Sequence, residues 1–95
     1  MKVHYTNAAE RDVDEIAGYT EVNWGEEQRD RYLDLLEAAC EGIIPQNLKH
    51  ARQVSGRPNL FRWRCEHHVI YFCRVSDGIE VVRILHELML PSKHL

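Results

Sequence analysis

The spacing of apolar residues changes once along this chain, and that change limits the possible folds more than any other feature. Before Pro45, apolar residues recur every three or four positions, which is typical of amphipathic helices. After Asn59 they alternate with polar residues, which is typical of strands with one buried face. A chain of 95 residues has room for one hydrophobic core. We therefore predict a single α+β domain over residues 1–95, in which the helices precede most of the strands.

Two helices are predicted in the first half of the chain, separated by a glycine. Apolar residues from Ala9 to Trp24 form one stripe, and acidic residues occupy the opposite side. Asn7 is expected to cap this helix, because Glu10 follows it at the spacing of a capping box. Gly25 permits a reversal of the chain, and a second apolar stripe then ends before Pro45, which cannot continue a helix. The pattern predicts an antiparallel helical hairpin.

Strands are predicted on both sides of this hairpin. Lys2 to Thr6 is compatible with a short first strand, whereas Gln46 to Asn59 has no clear period and is expected to be a long connection. Asp77-Gly78 is the usual sequence of a two-residue hairpin turn. A three-stranded antiparallel meander is therefore expected against the helices, over Phe61–Cys65, Val69–Val75 and Ile79–His86. The residues after His86 are expected to fold back onto the domain.

Charge is distributed unevenly, although the net charge is only −3. Residues 1–44 carry four basic and eleven acidic residues, for a net of −7. Residues 45–74 carry six basic residues and one acidic residue, for a net of +5. A basic middle segment favours an anionic partner, either an acidic protein segment or a nucleic acid. A solvated basic edge that balances the acidic helices is the alternative.

Several classes of protein are not supported by the sequence. There is no G-x-G-x-x-G or Walker-type loop for a nucleotide, and no G-x-S-x-G element for a serine hydrolase. The longest apolar runs, such as Val69 to Cys73, are far shorter than the roughly 20 residues that cross a bilayer. The first residues do not resemble a signal peptide, so we expect a cytoplasmic protein without membrane association.

The cysteines give little support for a disulfide or a metal site. Cys40, Cys65 and Cys73 cannot all pair within one chain and form no C-x-x-C element. They are interpreted as reduced, mostly buried thiols. His67 and His68 lie between two of them, but the paired spacing of zinc ligands is missing. No metal and no cofactor are expected.

Phosphodiester cleavage without a metal is one chemistry for which suitable residues are present. It needs a base, an acid and cationic stabilisation of the phosphate. Arginines on the predicted strands, among them Arg83, would supply the charge, and His86 would titrate near neutral pH. The two are three positions apart, so a regular strand points them to opposite faces unless a bulge intervenes. Arginines that serve solubility are the alternative.

Several short segments, taken in their order and spacing, resemble one known family. They are Trp24 to Gln28, Arg57 to Leu60, His68 to Phe72, Asp77-Gly78 followed by Val82 to His86, and the closing His94-Leu95. Over nearly the whole chain the sequence resembles the ParE toxins of bacterial type II toxin–antitoxin systems, within the RelE/ParE superfamily. The resemblance implies a small toxin that poisons DNA gyrase so that cleaved DNA persists.

The resemblance also implies a protein that masks the toxin. A ParD-like antitoxin would bind it in a hetero-oligomer, and this requires neither a catalytic residue nor sequence-specific binding of nucleic acid. We expect the antitoxin to contact the second helix at Tyr32, Leu33, Leu36 and Ile43. The alternative is that these residues pack in the core. DNA gyrase is expected to contact the strand face and the tail, at Arg62, Arg64, Arg83, His86, Met89 and Lys93.

The chain departs from the family pattern after the last strand, and two other functions stay open. A basic and an acidic residue are common there, whereas this chain has Leu88 and Leu90, which would alter potency if these positions contact the target. One alternative is a ribosome-dependent mRNA endonuclease of the RelE type, in which Arg83 and His86 would be the nearest equivalents of its functional residues. The other is a non-toxic member that only binds its antitoxin. Lys49 is the only lysine of the middle segment, which favours ParE over RelE.

Overall fold

The computed structural model describes residues 1–43 and 51–95. In these ranges a strand is followed by two long helices, four strands and a short helix. Their bounds are β1 Lys2–Tyr5, α1 Asn7–Trp24, α2 Glu26–Ile43, β2 Arg52–Gln53, β3 Phe61–Cys65, β4 His68–Val75, β5 Gly78–His86 and α3 Pro91–His94. The predicted α+β class is confirmed. None of the described helices is long and apolar enough to cross a membrane.

The sheet differs from the predicted three-stranded meander at both of its edges. It has five strands in the order β1-β5-β4-β3-β2, and β1 lies parallel to β5 whereas the other neighbours are antiparallel. The expected meander is formed by β3, β4 and β5. β2 falls in the segment expected to be a connection, because two exposed residues show no alternation that a sequence can reveal. Residues 46–50 of that expected connection lie outside the described ranges.

The parallel pairing of β1 with β5 depends on a glycine. Lys2 lies opposite Gly78 in the register, and the Lys2 N–H donates to the carbonyl of Asp77 at 2.8 Å. A Cβ atom on Gly78 would lie 1.9 Å from the carbonyl oxygen of Lys2, so no other residue fits without moving β1. The predicted hairpin turn is present but shifted by one residue: Val75 pairs with Gly78, so the two loop residues are Ser76 and Asp77, and Gly78 is the first residue of β5 and lies beside the first strand.

Thr6 caps α1, so the predicted cap at Asn7 is wrong by one residue. The Thr6 hydroxyl oxygen accepts the N–H of Ala9 at 3.0 Å. The same hydroxyl donates to the carbonyl of Val82 at 2.7 Å, which joins the start of the helix to β5. At the other end, Gly25 has a φ of 93° and donates its N–H to Glu21, which ends α1 as predicted.

Apolar clusters lie on both faces of the sheet. The main core joins the helices to β4 and β5 and includes Ile16, Leu36, Cys40, Ile70, Phe72, Ile79, Val81 and Ile84. The opposite face carries a smaller cluster of Leu60, Val69, Tyr71 and Leu85. Leu95 packs against that second cluster, so the expected folding back of the C-terminal residues is confirmed.

β5 contains a β-bulge, and because β1 is short, part of the outer edge of β5 has no neighbouring strand. Tyr71 pairs with Arg83 and Phe72 pairs with Val81, so Val82 is an extra residue on β5. β1 ends at Tyr5, opposite Val81. Within the described residues, the outer edge of β5 beyond Val81 therefore has no strand beside it, and it faces α1.

Candidate functional site

Hydrogen bonds from Thr6 and α1 close the edge of β5 where strand pairing stops. The backbone N–H of Thr6 donates to the carbonyl of Val81 at 3.0 Å. Further along α1, the Asp12 carboxylate accepts the N–H of Ile84 at 2.9 Å. Asp12 is only 6% exposed, and a carboxylate buried to this extent requires hydrogen-bonding and charged partners. Polar contacts from α1 therefore replace a strand ladder at this edge.

Arg83 supplies the positive charge that Asp12 requires. Its Nε and Nη2 donate to the two carboxylate oxygens of Asp12, both at 2.8 Å, in a bidentate arrangement. Its Nη1 donates to the carbonyl of His94 in α3 at 2.9 Å. The hydrogen bond to Asp12 raises the pKa of Arg83 above its ordinary value. This side chain thus ties α1, β5 and α3 together, and the fold itself neutralises its charge.

An open cleft of about 560 Å³ lies beside this ion pair. We call it the histidine cleft, and its lining includes Tyr19, His68, Arg83, His86 and Met89. His68 and His86 are cross-strand neighbours whose rings meet edge to face, with centroids 5.4 Å apart. The Nδ1 atom of His86 accepts the N–H of Leu88 at 3.2 Å, so that nitrogen carries no proton. Among the described residues, no three His, Cys, Asp or Glu side chains are grouped to hold a metal ion.

His68 is kept neutral by its surroundings. Burial, together with the nearby His86 and His67, lowers the pKa of His68 to about 4. The Tyr32 oxygen lies 2.6 Å from Nδ1 of His68 and accepts the backbone N–H of His67 at 3.3 Å. We therefore assign the Tyr32 hydroxyl as the donor to Nδ1. Burial also raises the pKa of Tyr32, so neither group is suited to proton transfer near neutral pH.

Three of the six residues predicted to contact a target are brought together. Arg83, His86 and Met89 all line the histidine cleft. Arg83 and His86 share it although they are three positions apart, because the Arg83 side chain turns to the outer edge of β5 to reach Asp12. The bulge lies before both residues and is not the cause.

The other three predicted contact residues lie elsewhere. Arg64 is exposed on β3 and contacts the Glu87 carboxylate. Lys93 is exposed on α3. Arg62 lies on the face of β3 that points away from the helices, and it lines a second cleft. We call this the arginine cleft, and its lining includes Arg52, Arg57, Arg62 and Tyr71.

The residues predicted to bind an antitoxin are mostly buried. Tyr32, Leu36 and Ile43 belong to the main core. Leu33 is only partly buried and lines an open groove of about 470 Å³ between α1 and α2, which we call the helical groove. Its acidic lining residues are Glu10, Asp14 and Glu37. Antitoxin contact at these four positions stays a prediction, and two of the four, the partly buried Leu33 and the buried Leu36, line the helical groove.

The sequence interpretation did not identify Asp12 or the arginines at positions 52 and 57. A signal for Asp12 exists, because it lies three residues after Ala9 and four before Ile16 and therefore shares the apolar face of α1. A charged residue on that face is a candidate for a buried ion pair. Arg52 and Arg57 belong to the basic middle segment, but the segment has no period that would place their side chains together.

Comparison with known sequences identifies one family. The family described as the ParE toxin of type II toxin-antitoxin system, parDE, matches residues 3–91. Toxin ParE1 of Caulobacter vibrioides is 32% identical over 87 residues, which cover 92% of this chain and 90% of that protein. Toxin ParE of Escherichia coli is 36% identical over 86 residues, which cover 88% of this chain and 82% of that protein.

Comparison with solved structures identifies the same fold. A chain of the chromosomal ParDE TA system from P. aeruginosa aligns with a TM-score of 0.76 at 20% identity, over 90% of this chain and 95% of that chain. A chain of the RelB-RelE antitoxin-toxin complex from Methanococcus jannaschii aligns with a TM-score of 0.55 at 20% identity, over 87% and 88% of the two chains. At such identities the likeness concerns the fold alone.

Proposed function

Because the chain belongs to the ParE toxins of type II toxin–antitoxin systems, we propose that it inhibits DNA gyrase by surface contact and is neutralised by a ParD-like antitoxin. The observation that supports contact over cleavage concerns Arg83. Both oxygens of the Asp12 carboxylate are bound to its guanidinium, and its remaining Nη1 donates to His94. An arginine held in this way is a structural group and is not available to stabilise a phosphate.

The other groups near the histidine cleft also argue against a RelE-type endonuclease. General acid–base catalysis favours groups whose pKa lies near the working pH. The pKa of His68 is about 4, and the pKa of Tyr32 is raised. His86 accepts the N–H of Leu88 at Nδ1, which leaves only its Nε2 for other contacts. We therefore propose a toxin that acts without catalysis.

The segment after β5 offers an apolar surface to the target. Leu88 is 83% exposed and Met89 is 43% exposed, and Leu90 is exposed as well. We call Leu88–Leu90 the apolar tip. Exposed apolar residues that are contiguous mark interaction surfaces. In this chain, burial of the apolar tip against gyrase would replace the charged contacts that the family pattern suggests at these positions.

The helical groove is the proposed antitoxin surface. It combines apolar side chains, including Leu33 and Val13, with three acidic residues around them. This combination fits an amphipathic helix with basic residues beside its apolar stripe. An antitoxin segment that folds on binding would supply such a helix.

A supercoiling assay with purified gyrase tests the proposal. The toxin is expected to inhibit supercoiling and to make cleaved DNA accumulate. Replacing both Leu88 and Met89 with Ala should raise the inhibitory concentration about tenfold or more, because exposed apolar anchors contribute about 1–2 kcal/mol each at an interface. Leu35→Ala is the matched control, since Leu35 is also 43% exposed but lies on α2 outside the apolar tip.

Primer extension on translated mRNA completes the test. Cleavage of ribosome-bound mRNA without any effect on gyrase would reject the proposal and identify a RelE-type endonuclease. Antitoxin binding without either activity would also reject gyrase inhibition and would identify the chain as a non-toxic member. Equal loss of inhibition in Leu35→Ala would reject the role of the apolar tip.

A further inference from the structure

The arginine cleft concentrates positive charge on the face of the sheet away from the helices. It is an open depression of about 650 Å³. Arg52 comes from β2, Arg57 from the loop after it and Arg62 from β3. No Asp or Glu side chain contributes to its described lining. This makes it unlike the histidine cleft, where Asp12 neutralises the arginine.

The sheet register places two of these arginines directly opposite each other. Arg52 and Arg62 are partners in the antiparallel pair of β2 and β3. Directly opposed side chains lie about 5 Å apart at Cβ, and like charges in this position are destabilising. Within residues 1–43 and 51–95 neither arginine forms an ion pair, whereas Arg29, Arg64 and Arg83 each contact a carboxylate. The fold thus carries a charge repulsion that a bound anion would relieve.

The rest of the cleft adds hydroxyl donors. Tyr71 is the partner of Arg62 on the other side of β3, so Arg52, Arg62 and Tyr71 form one row across three strands. Tyr71 is only 2% exposed. Its side chain nevertheless lines the cleft. Ser55 and Ser92 also line the cleft.

The short edge strand favours a phosphate backbone over an acidic peptide in this cleft. Guanidinium groups bind phosphates and carboxylates alike in bidentate geometry, so the arginines alone do not distinguish the two. A peptide bound beside a sheet gains much of its affinity from main-chain hydrogen bonds to an edge strand. The edge strand here, β2, has only two residues, so it offers few of these bonds. A duplex supplies dense backbone charge instead, and the acidic helices would repel it from the other face.

We propose that the arginine cleft binds the phosphodiester backbone of a nucleic acid duplex without reading its sequence. The site is separate from the apolar tip and does not depend on gyrase as the target. Arg52 and Arg62 provide the principal contacts. Arg57 contributes less, because its Nη1 also donates to the main-chain oxygen of Leu95 at 3.4 Å.

Fluorescence anisotropy with the purified toxin and a short labelled duplex tests this site without gyrase. Matched DNA and RNA duplexes distinguish the two sources of phosphodiester. At least one should bind, with an affinity that falls as salt rises and is independent of base sequence. Arg52→Ala and Arg62→Ala should each weaken binding roughly five- to tenfold and reduce the salt slope by about one. The melting temperature of the unmodified toxin should also rise with the duplex bound.

Arg11→Ala is the matched control, because Arg11 is an exposed arginine on α1 that forms no ion pair within the described residues. It should leave duplex affinity unchanged. Circular dichroism of each variant verifies folding, which exposed substitutions should preserve. The proposal is overturned if neither duplex binds, if the Arg52 and Arg62 variants bind as tightly as the unmodified toxin, or if Arg11→Ala loses as much affinity. Tighter binding of an acidic peptide of equal charge would also overturn it.

Discussion

Asp12 and Arg83 lie 71 positions apart in the sequence, and their contacts join α1, β5 and α3. Their pairing compensates for the early end of β1, because the same carboxylate also accepts the N–H of Ile84. A buried ion pair adds little stability relative to apolar residues of similar volume, but breaking it leaves a charge without its partner. The pair therefore matters less as a source of stability than as a constraint on how α1, β5 and α3 fit together.

Removing the Asp12 carboxylate tests whether this ion pair holds α1, β5 and α3 together. Asp12→Ala leaves Arg83 and the N–H of Ile84 without their acceptor, so we expect a loss of about 3 kcal/mol in the free energy of unfolding. Asp14→Ala, an exposed change on the same helix, should alter it by about 0.5 kcal/mol or less. Urea denaturation measures both values. Equal effects of the two substitutions would show that the ion pair does not hold these elements together.

His68 should make stability depend on pH. Its pKa is about 4 in the folded protein, against an ordinary value near 6.5, so between these values the unfolded chain takes up a proton that the native protein does not. The free energy of unfolding should therefore fall as the pH is lowered from about 6.5 to about 4. The stabilising effect of neutral His68 is fully present above that window.

His68→Gln isolates this effect, because glutamine can still accept from Tyr32 but does not titrate. Carboxylates such as Glu87, whose pKa is lowered mainly by a hydrogen bond to His67, titrate in both proteins. The difference between the two stability curves, measured in urea at a series of pH values, therefore belongs to His68. If the stability curves of the unmodified protein and of His68→Gln run parallel between about pH 4 and pH 6.5, the lowered pKa of His68 is contradicted.

At the scale of elements, the sequence predicts those that have a sustained period. α1, α2, β3, β4 and β5 each span enough residues for apolar spacing to define them. The two residues of β2 do not. The parallel place of β1 could not be predicted either, because it depends on where the helical hairpin returns the chain. Thr6 and Asn7 are both good caps, and the tertiary bond from Thr6 to Val82 explains why Thr6 caps the helix.

Gly78 shows how one position joins two elements. Gly78→Ala places a Cβ atom in contact with the backbone of Lys2, so β1 must move away from β5. We expect a loss of about 2–4 kcal/mol in the free energy of unfolding and faster hydrogen exchange in β1. Gly18→Ala is the matched control. Nothing lies within 4 Å of its added Cβ atom, and it should stabilise α1 by about 0.5–1 kcal/mol. Equal effects of the two changes would contradict this account of the β1–β5 contact.

At the scale of the molecule, the sequence predicted the charge of the two sides better than it predicted the sites on them. The acidic surface of the helices and the basic middle segment follow directly from the charge count. The order of residues along the chain does not reveal that Arg62 lies in one cleft and Arg83 in another. That separation follows from strand register and from the pairing of Arg83 with Asp12, both of which are tertiary.

The acidic side leads to a prediction about the antitoxin. If a basic amphipathic helix occupies the helical groove, reversing one charge in its lining should weaken the complex without disturbing the core. Glu37→Lys changes an exposed residue of the groove, and we expect it to weaken antitoxin binding about fivefold or more, mainly through slower association. Asp34→Lys reverses a charge on the same helix outside the groove lining and should have little effect.

Isothermal titration calorimetry and stopped-flow association with a purified ParD-like antitoxin measure this difference, and raised salt should reduce it because the contact is electrostatic. The melting temperature of each variant without antitoxin verifies that the fold is intact. If Asp34→Lys weakens binding as much as Glu37→Lys, the effect comes from the overall charge of the helices. The antitoxin would then have to bind another surface, and the outer edge of β1, which is an edge strand of the sheet, would be the next to test by strand addition.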